Sequence, residues 1–243
     1  MKTQRGRIAL LVCVVLAVAS PACTQVAKTP APFSVTRYQS SIDAFVASDR
    51  TNPPPKNAIL FIGSSIFREW ATLAEQMAPL PVFNRAFGGS RTIEVLHYTD
   101  TIVLPYAPKI VVYYCGSNDI NANALPPEIA ANFRAFAELV HAKLPQTRIL
   151  FASIIRAPQK RERWDRVDAA NALIRNYCAS DPRLAFVDVN PAVFDGSGRP
   201  RLELYRDDLL HYHPAAYAGF AALIKPVLER SWREVGAPQN LAP

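Results

Sequence analysis

From residue 57 onward the chain repeats one pattern: a short apolar run, then a stretch with helical periodicity. The runs fall at 58–62, 82–87, 110–114, 149–155 and 184–189, and the helical stretches at 66–77, 93–103, 127–144, 163–179 and 214–232. The runs are continuous rather than alternating in polarity, as strands covered on both faces must be. Strand–helix units in succession build a parallel sheet, because a parallel crossover needs a connection of about helix length. The pattern therefore predicts α/β architecture, a three-layer α/β/α sandwich with an about five-stranded parallel sheet. No internal repeat or linker interrupts it, and a 243-residue chain that is 50% hydrophobic can fill one such core.

In an open parallel sheet, ligands sit in the crevice beyond the carboxyl ends of the strands. The residues just after the apolar runs are thus the place to seek chemistry. Three tails in a row are glycine followed by small polar residues: Gly63-Ser64-Ser65, Gly88-Gly89-Ser90 and Gly116-Ser117-Asn118-Asp119. The fourth is the segment 158–164.

Ser65 stands where a strand hands over to a helix. That is a position for a helix cap, and equally one for a nucleophile exposed at the crevice. The run is not a Gly-x-Ser-x-Gly elbow, since Phe67 occupies the place of the second glycine. A serine nucleophile needs a base, a group that orients the base, and donors for the oxyanion. Of the four histidines, His97 and His141 fall in helical patterns, whereas His211 and His213 lie in Arg206-Asp207-Asp208-Leu209-Leu210-His211-Tyr212-His213-Pro214. One turn brings Asp208 to His211, leaving the second ring nitrogen free for Ser65. The same segment also reads as a metal cluster of Asp207, Asp208, His211 and His213, or as a solvated loop. Gly89, through its backbone N–H, and Asn118, through its amide, are candidate oxyanion donors; each is also a plausible turn or cap residue. The spacing around Gly88-Gly89 fits neither a dinucleotide fingerprint nor a phosphate loop.

Four of these pieces, in this order, resemble the SGNH hydrolases, also called GDSL-type esterases and lipases. The resemblance runs from about Asn57 to Leu228 and is carried by Phe61-Ile62-Gly63-Ser64-Ser65-Ile66, Asn84-Arg85-Ala86-Phe87-Gly88-Gly89-Ser90, Gly116-Ser117-Asn118-Asp119 and Asp208-Leu209-Leu210-His211. It implies a flavodoxin-like fold, a Ser65–His211–Asp208 triad, an oxyanion hole from Ser65, Gly89 and Asn118, and no metal or organic cofactor. Ser64 replaces the aspartate of the name-giving motif, and Ala216 stands where a glycine usually precedes Tyr217. The function it implies is hydrolysis of carboxylic esters, with acetyl or other short acyl groups favoured and a carbohydrate or lipid ester as substrate. An O-acyltransferase with the same residues and a non-catalytic surface lipoprotein are the alternatives.

The N-terminus adds an address. Lys2, Arg5 and Arg7 precede an apolar run at 8–19 and the small residues Ser20-Pro21-Ala22-Cys23, the order of an export signal. The run is shorter than the ~20 residues of a membrane span. Residues 1–22 are therefore read as an export signal, 23–36 as a Thr/Ala/Pro-rich tether and 37–243 as the esterase domain. Cleavage after Ala19 or Ala22 would release the protein to the periplasm or exterior; processing at Cys23 would tether it to a membrane. Without the signal's three cations the net charge drops from 27 − 20 = +7 to 24 − 20 = +4, scattered rather than striped, so no nucleic-acid partner is expected. Cys115 and Cys178 read as buried small hydrophobes.

Overall fold

The computed structural model describes residue 34 and residues 36–236; the stretch read as an export signal, most of that read as a tether, and Cys23 lie outside the described residues. The sheet is all-parallel and five-stranded: β1 (Ile59–Gly63), β2 (Val82–Asn84), β3 (Ile110–Tyr114), β4 (Arg148–Ala152) and β5 (Leu184–Val187), in the order β2-β1-β3-β4-β5. This is the three-layer architecture predicted, in the flavodoxin-like strand order. The order reverses between β1 and β3, so the crevice opens there, beyond Gly63 and Tyr114, which are register partners.

Alternation along each strand divides the core in two. Ile59, Phe61, Val112, Tyr114 and Leu150 face α2 (Ser65–Arg68), α3 (Leu73–Met77) and the long C-terminal helix. Leu60, Ile62, Val111, Tyr113 and Phe151 face α1 (Gln39–Thr51), α4 (Thr92–His97), α5 (Thr99–Ile102), α7 (Pro126–Lys143) and α8 (Trp164–Cys178). The remaining helices are α6 (Ser117–Asn121), directly after β3, and the C-terminal α9 (Pro214–Gly236). Pro214 opens α9 at a position where its missing N–H costs nothing. Trp70, Tyr212, Tyr217 and Phe220 pack edge-on and tilted beneath the Ser65 turn, so α9 braces it from below. Ala216 is buried at its foot, a packing role for the residue that departs from the family pattern.

Several boundaries differ from the periodicity. The second run stops being strand at Asn84, whose side chain takes over as the local organiser: Oδ1 accepts from Ala86 N–H and Nδ2 donates to the Phe67 carbonyl. The stretch 66–77 breaks into α2 and α3, and 93–103 into α4 and α5. Helix α6 was not expected from its five residues. Cys115 and Cys178 are buried free thiols, as the sequence suggested. No described helix is long and apolar enough to cross a membrane.

Candidate active site

Ser65 owes its position to Gly63. That glycine has φ +132°, and a Cβ on it would lie 1.8 Å from the Tyr114 carbonyl oxygen. The chain can therefore turn hard against β3 and start α2 at once. Ser64 remains extended and donates its N–H to that same Tyr114 oxygen, while its own carbonyl accepts from Phe67 and Arg68 N–H. Ser64 thus does structural work through its backbone alone, so an aspartate side chain is not needed there. Ser65 is the first residue of α2, and its hydroxyl points along the crevice to His211, with Nε2 2.9 Å from Oγ.

His211 and Asp208 come on one tight turn. Arg206 N–H donates to the His211 carbonyl and Leu209 N–H to that of Arg206, both at 2.8 Å. Leu209 is held at φ +56°, a left-handed conformation that costs a leucine on the order of 1 kcal/mol. The turn aims Asp208 at the imidazole: Oδ2 lies 2.6 Å from Nδ1, and Oδ1 accepts from Leu210 and His211 N–H at 3.0 and 2.9 Å. Partial burial works to raise the Asp208 pKa, but the bonds from the His211 ring and the two N–H groups outweigh it and bring the carboxyl down to about 2. Asp208 is therefore ionised at neutral pH and fixes the proton on Nδ1, leaving Nε2 as acceptor toward Ser65. Arg206 ties the turn down, donating to the Tyr212 carbonyl and pairing with Glu69 just beyond α2.

The opposite wall is built around Ser90. Its hydroxyl donates to the Gly63 carbonyl at 3.1 Å, and its carbonyl accepts from Asn118 Nδ2 at 3.0 Å. One amide hydrogen of Asn118 is thereby fixed and the other left for a ligand. Gly89, at φ +80°, presents its backbone with the Tyr38 hydroxyl 3.1 Å from where a Cβ would be; the N–H of Gly89 enters none of the backbone hydrogen bonds among the described residues. The Ser65 N–H belongs to the open first turn of α2. The Ser65 N–H adjoins the hydroxyl that His211 can deprotonate, and Gly89 N–H and the second amide hydrogen of Asn118 are donors left over in the loops after β2 and β3, a donor set suited to an acyl carbonyl becoming tetrahedral.

Asp119 locks the two glycine loops together. It is buried and accepts from Thr92 N–H, at 3.0 Å, and Thr92 Oγ1, at 2.5 Å. Burial raises its pKa and the Thr92 bonds pull it back; the balance stands at about 6. A carboxyl whose folded value exceeds its unfolded value stabilises the fold fully below about pH 4, and that contribution is lost as pH rises through about 6. Asp119→Asn removes the titration. Its unfolding free energy should be flatter between pH 4 and 7 than the wild type's, by on the order of 3 kcal/mol across that window. Chemical denaturation at a series of pH values measures this; parallel curves for the two proteins would refute it.

Of the predicted site residues, Ser65, His211 and Asp208 are joined by hydrogen bonds, and Asn118 bonds to the carbonyl of Ser90, the residue after Gly89. In the rival metal reading His211 would be a ligand, yet both its ring nitrogens are already engaged, and His213 is exposed. Among the described residues no group of three or more His, Cys, Asp or Glu side chains is set to hold a metal ion. Three residues near the strand ends have partners within the fold. Arg91 pairs with buried Glu94, Arg156 with Asp168, and Trp164 donates its indole N–H to the Ala157 carbonyl. Ser90, Asp119 and Tyr38 were missed. The first two sit within motifs already singled out, so proximity in sequence could have flagged them, whereas Tyr38 gave no signal.

A hydroxyl, an imidazole and a carboxylate in line at the switch point of a parallel sheet define a class, the ester hydrolases of three-layer α/β fold. The comparisons are specific. The profile of the GDSL-like lipase/acylhydrolase family matches residues 61–218, and the chain belongs to that family. It is 24% identical over 201 residues to platelet-activating factor acetylhydrolase IB subunit alpha2 of Homo sapiens, covering 79% of this chain and 82% of the relative. A GDSL-like lipase from Bacteroides thetaiotaomicron superposes with a TM-score of 0.68 at 21% identity, over 82% of this chain and 100% of that one. A carbohydrate esterase family 3 protein from Talaromyces cellulolyticus gives 0.58 at 16%, over 72% and 98%.

Proposed function

We propose that the protein is an exported serine esterase that removes short acyl groups, acetyl above all, with Ser65 as nucleophile, His211 as general base and Asp208 as the carboxylate orienting it. The observation that carries the reading is the unbroken chain from Ser65 Oγ through both nitrogens of His211 to Asp208. Ser65 Oγ attacks the ester carbonyl as Nε2 takes its proton, and the oxygen that gains the charge is received by Ser65 N–H, Gly89 N–H and the Asn118 amide. The imidazolium then hands its proton to the departing alcohol. Water, deprotonated by the same nitrogen, attacks the acyl-enzyme and releases the acid.

The acetyl preference is supported by the acetylhydrolase named among the relatives. Export is supported by the cationic and apolar order of residues 1–22, and a membrane tether by the position of Cys23. Two measurements test the proposal. A fluorophosphonate ester should add stoichiometrically, with the mass shift mapping to the peptide containing Ser65. Initial rates on p-nitrophenyl esters should fall from acetate to octanoate and be indifferent to EDTA. A label on any other serine overturns the nucleophile, and rates that rise with chain length overturn the acyl preference. Acyl transfer to an added sugar in preference to water would make the enzyme an acyltransferase with the same residues.

A further inference from the structure

Between β4 and α8 the chain makes a 3-10 segment, Pro158–Arg163, pinned at three points. Gln159 N–H donates to the carbonyl of Leu209, in the turn that carries Asp208 and His211, at 3.1 Å. Lys160 Nζ donates to Ser117 Oγ, at the start of α6, at 2.6 Å. Arg163 Nη1 donates to the Ile120 and Asn121 carbonyls at the other end of α6, at 2.9 and 3.2 Å. The segment therefore joins the base-bearing turn to the helix that presents Asn118.

Arg163 is where helix electrostatics favour a cation, on the carbonyl end. Lys160 is where they oppose one. Its ammonium meets the amino end of α6, only 4% of the residue is exposed, and its partner is a neutral hydroxyl. Among the described residues it forms no ion pair. Of the carboxylates on the two joined elements, Asp119 is committed to Thr92 and Asp208 to His211, and Asp207 is exposed and forms no ion pair with Lys160. Burial and the neighbouring Arg163 cation bring its pKa down to about 8, so at neutral pH it keeps its proton. A buried cation next to another cation and a helix amino end costs stability in the resting enzyme. The charge that would offset it is absent from the resting fold and appears one residue from Ser117, when a carbonyl oxygen becomes an oxyanion against Asn118.

We propose that Lys160 is a positioning residue for the oxyanion site: acting through Ser117 and the first turn of α6, its buried positive charge favours the negative charge that develops beside Asn118. This rests on the oxyanion reading given above. It places a further residue behind the reaction, on a segment that none of the four motifs includes.

The test uses Lys160→Met, Lys160→Arg and Asn118→Ala in the full chain, with p-nitrophenyl acetate as substrate. Active sites are counted by fluorophosphonate titration, so that misfolded protein does not enter kcat. Lys160→Met should lower kcat per titrated site about 10- to 100-fold, with KM within about twofold and Tm unchanged or raised, since an uncompensated buried charge has been removed. Lys160→Arg should keep kcat at least about tenfold above the Met variant. Wild-type kcat in Lys160→Met, whatever its Tm, or equal losses in the Met and Arg variants, would overturn the proposal and leave Lys160 a strut. Asn118→Ala separates the two layers. A fall of about 10²–10³-fold there upholds the oxyanion reading even if Lys160 proves inert, and no fall would show that reading itself to be wrong.

Discussion

Ser65→Ala should lower kcat/KM for ester hydrolysis by about 10⁴–10⁶-fold, and adding His211→Ala to it should cost almost nothing more. The two side chains act as one unit. Nε2 has no proton to take once Oγ is gone, and Oγ at its ordinary pKa is a poor nucleophile without Nε2. Their 2.9 Å contact is the only side-chain hydrogen bond Ser65 makes among the described residues, so its loss should leave the fold and Tm nearly unchanged. Stopped assays on p-nitrophenyl acetate with purified single and double variants measure this. Losses that multiply, to the product of the two single effects, would mean that the residues act independently. Retention of more than about 1% of activity in Ser65→Ala would remove Ser65 from the chemistry altogether.

Gly63→Ala should have the largest effect on stability of any glycine-to-alanine change among the described residues. The new Cβ would fall 1.8 Å from the Tyr114 carbonyl oxygen and 2.6 Å from its carbon, both backbone atoms that cannot swing aside. Relief requires β1 and β3 to part at their carboxyl ends, where Ser64 N–H is bonded to that same oxygen. The left-handed φ adds its own penalty for a residue with a side chain. Together these should cost about 4 kcal/mol or more, a fall in Tm of roughly 10 °C or greater for a domain of this size. Ser65 rides on the displaced turn, so activity should drop even at temperatures where the variant is folded. Gly196→Ala is the control. Nothing lies within 4 Å of its Cβ position, and its Tm should stay within about 2 °C of wild type. Equal Tm values for the two variants would refute the close-approach argument.

Much of this was legible beforehand because the relevant physics is local. Strands covered on both faces read as unbroken apolar runs, so the five strands and their parallel direction followed from residues 58–62 to 184–189. Asp208 and His211 are close enough for one turn to pair them, and that spacing is visible without a fold. Gly63 and Gly89 lie in the glycine-bearing strand tails where chemistry was sought, and Gly89 was read there as a backbone N–H donor. The limits came from packing and from length. Whether 66–77 forms one helix or two depends on how Trp70 and Met77 pack beneath β1, and five-residue α6 carries too few apolar positions to show a period.

The amino-acid sequence by itself determined the layered α/β class, the strand ends that carry chemistry, and the serine, histidine and aspartate available there. Only the tertiary structure decided which distant positions meet: Ser90 with Asn118, Asp119 with Thr92, Tyr38 with Gly89, Lys160 with Ser117. Periodicity reports which face of an element is buried, a property of neighbours along the chain. Pairings across 27 to 43 residues or more depend on the order in which strands take their places in the sheet. That order is set by the free energy of the whole core, and no single segment carries it.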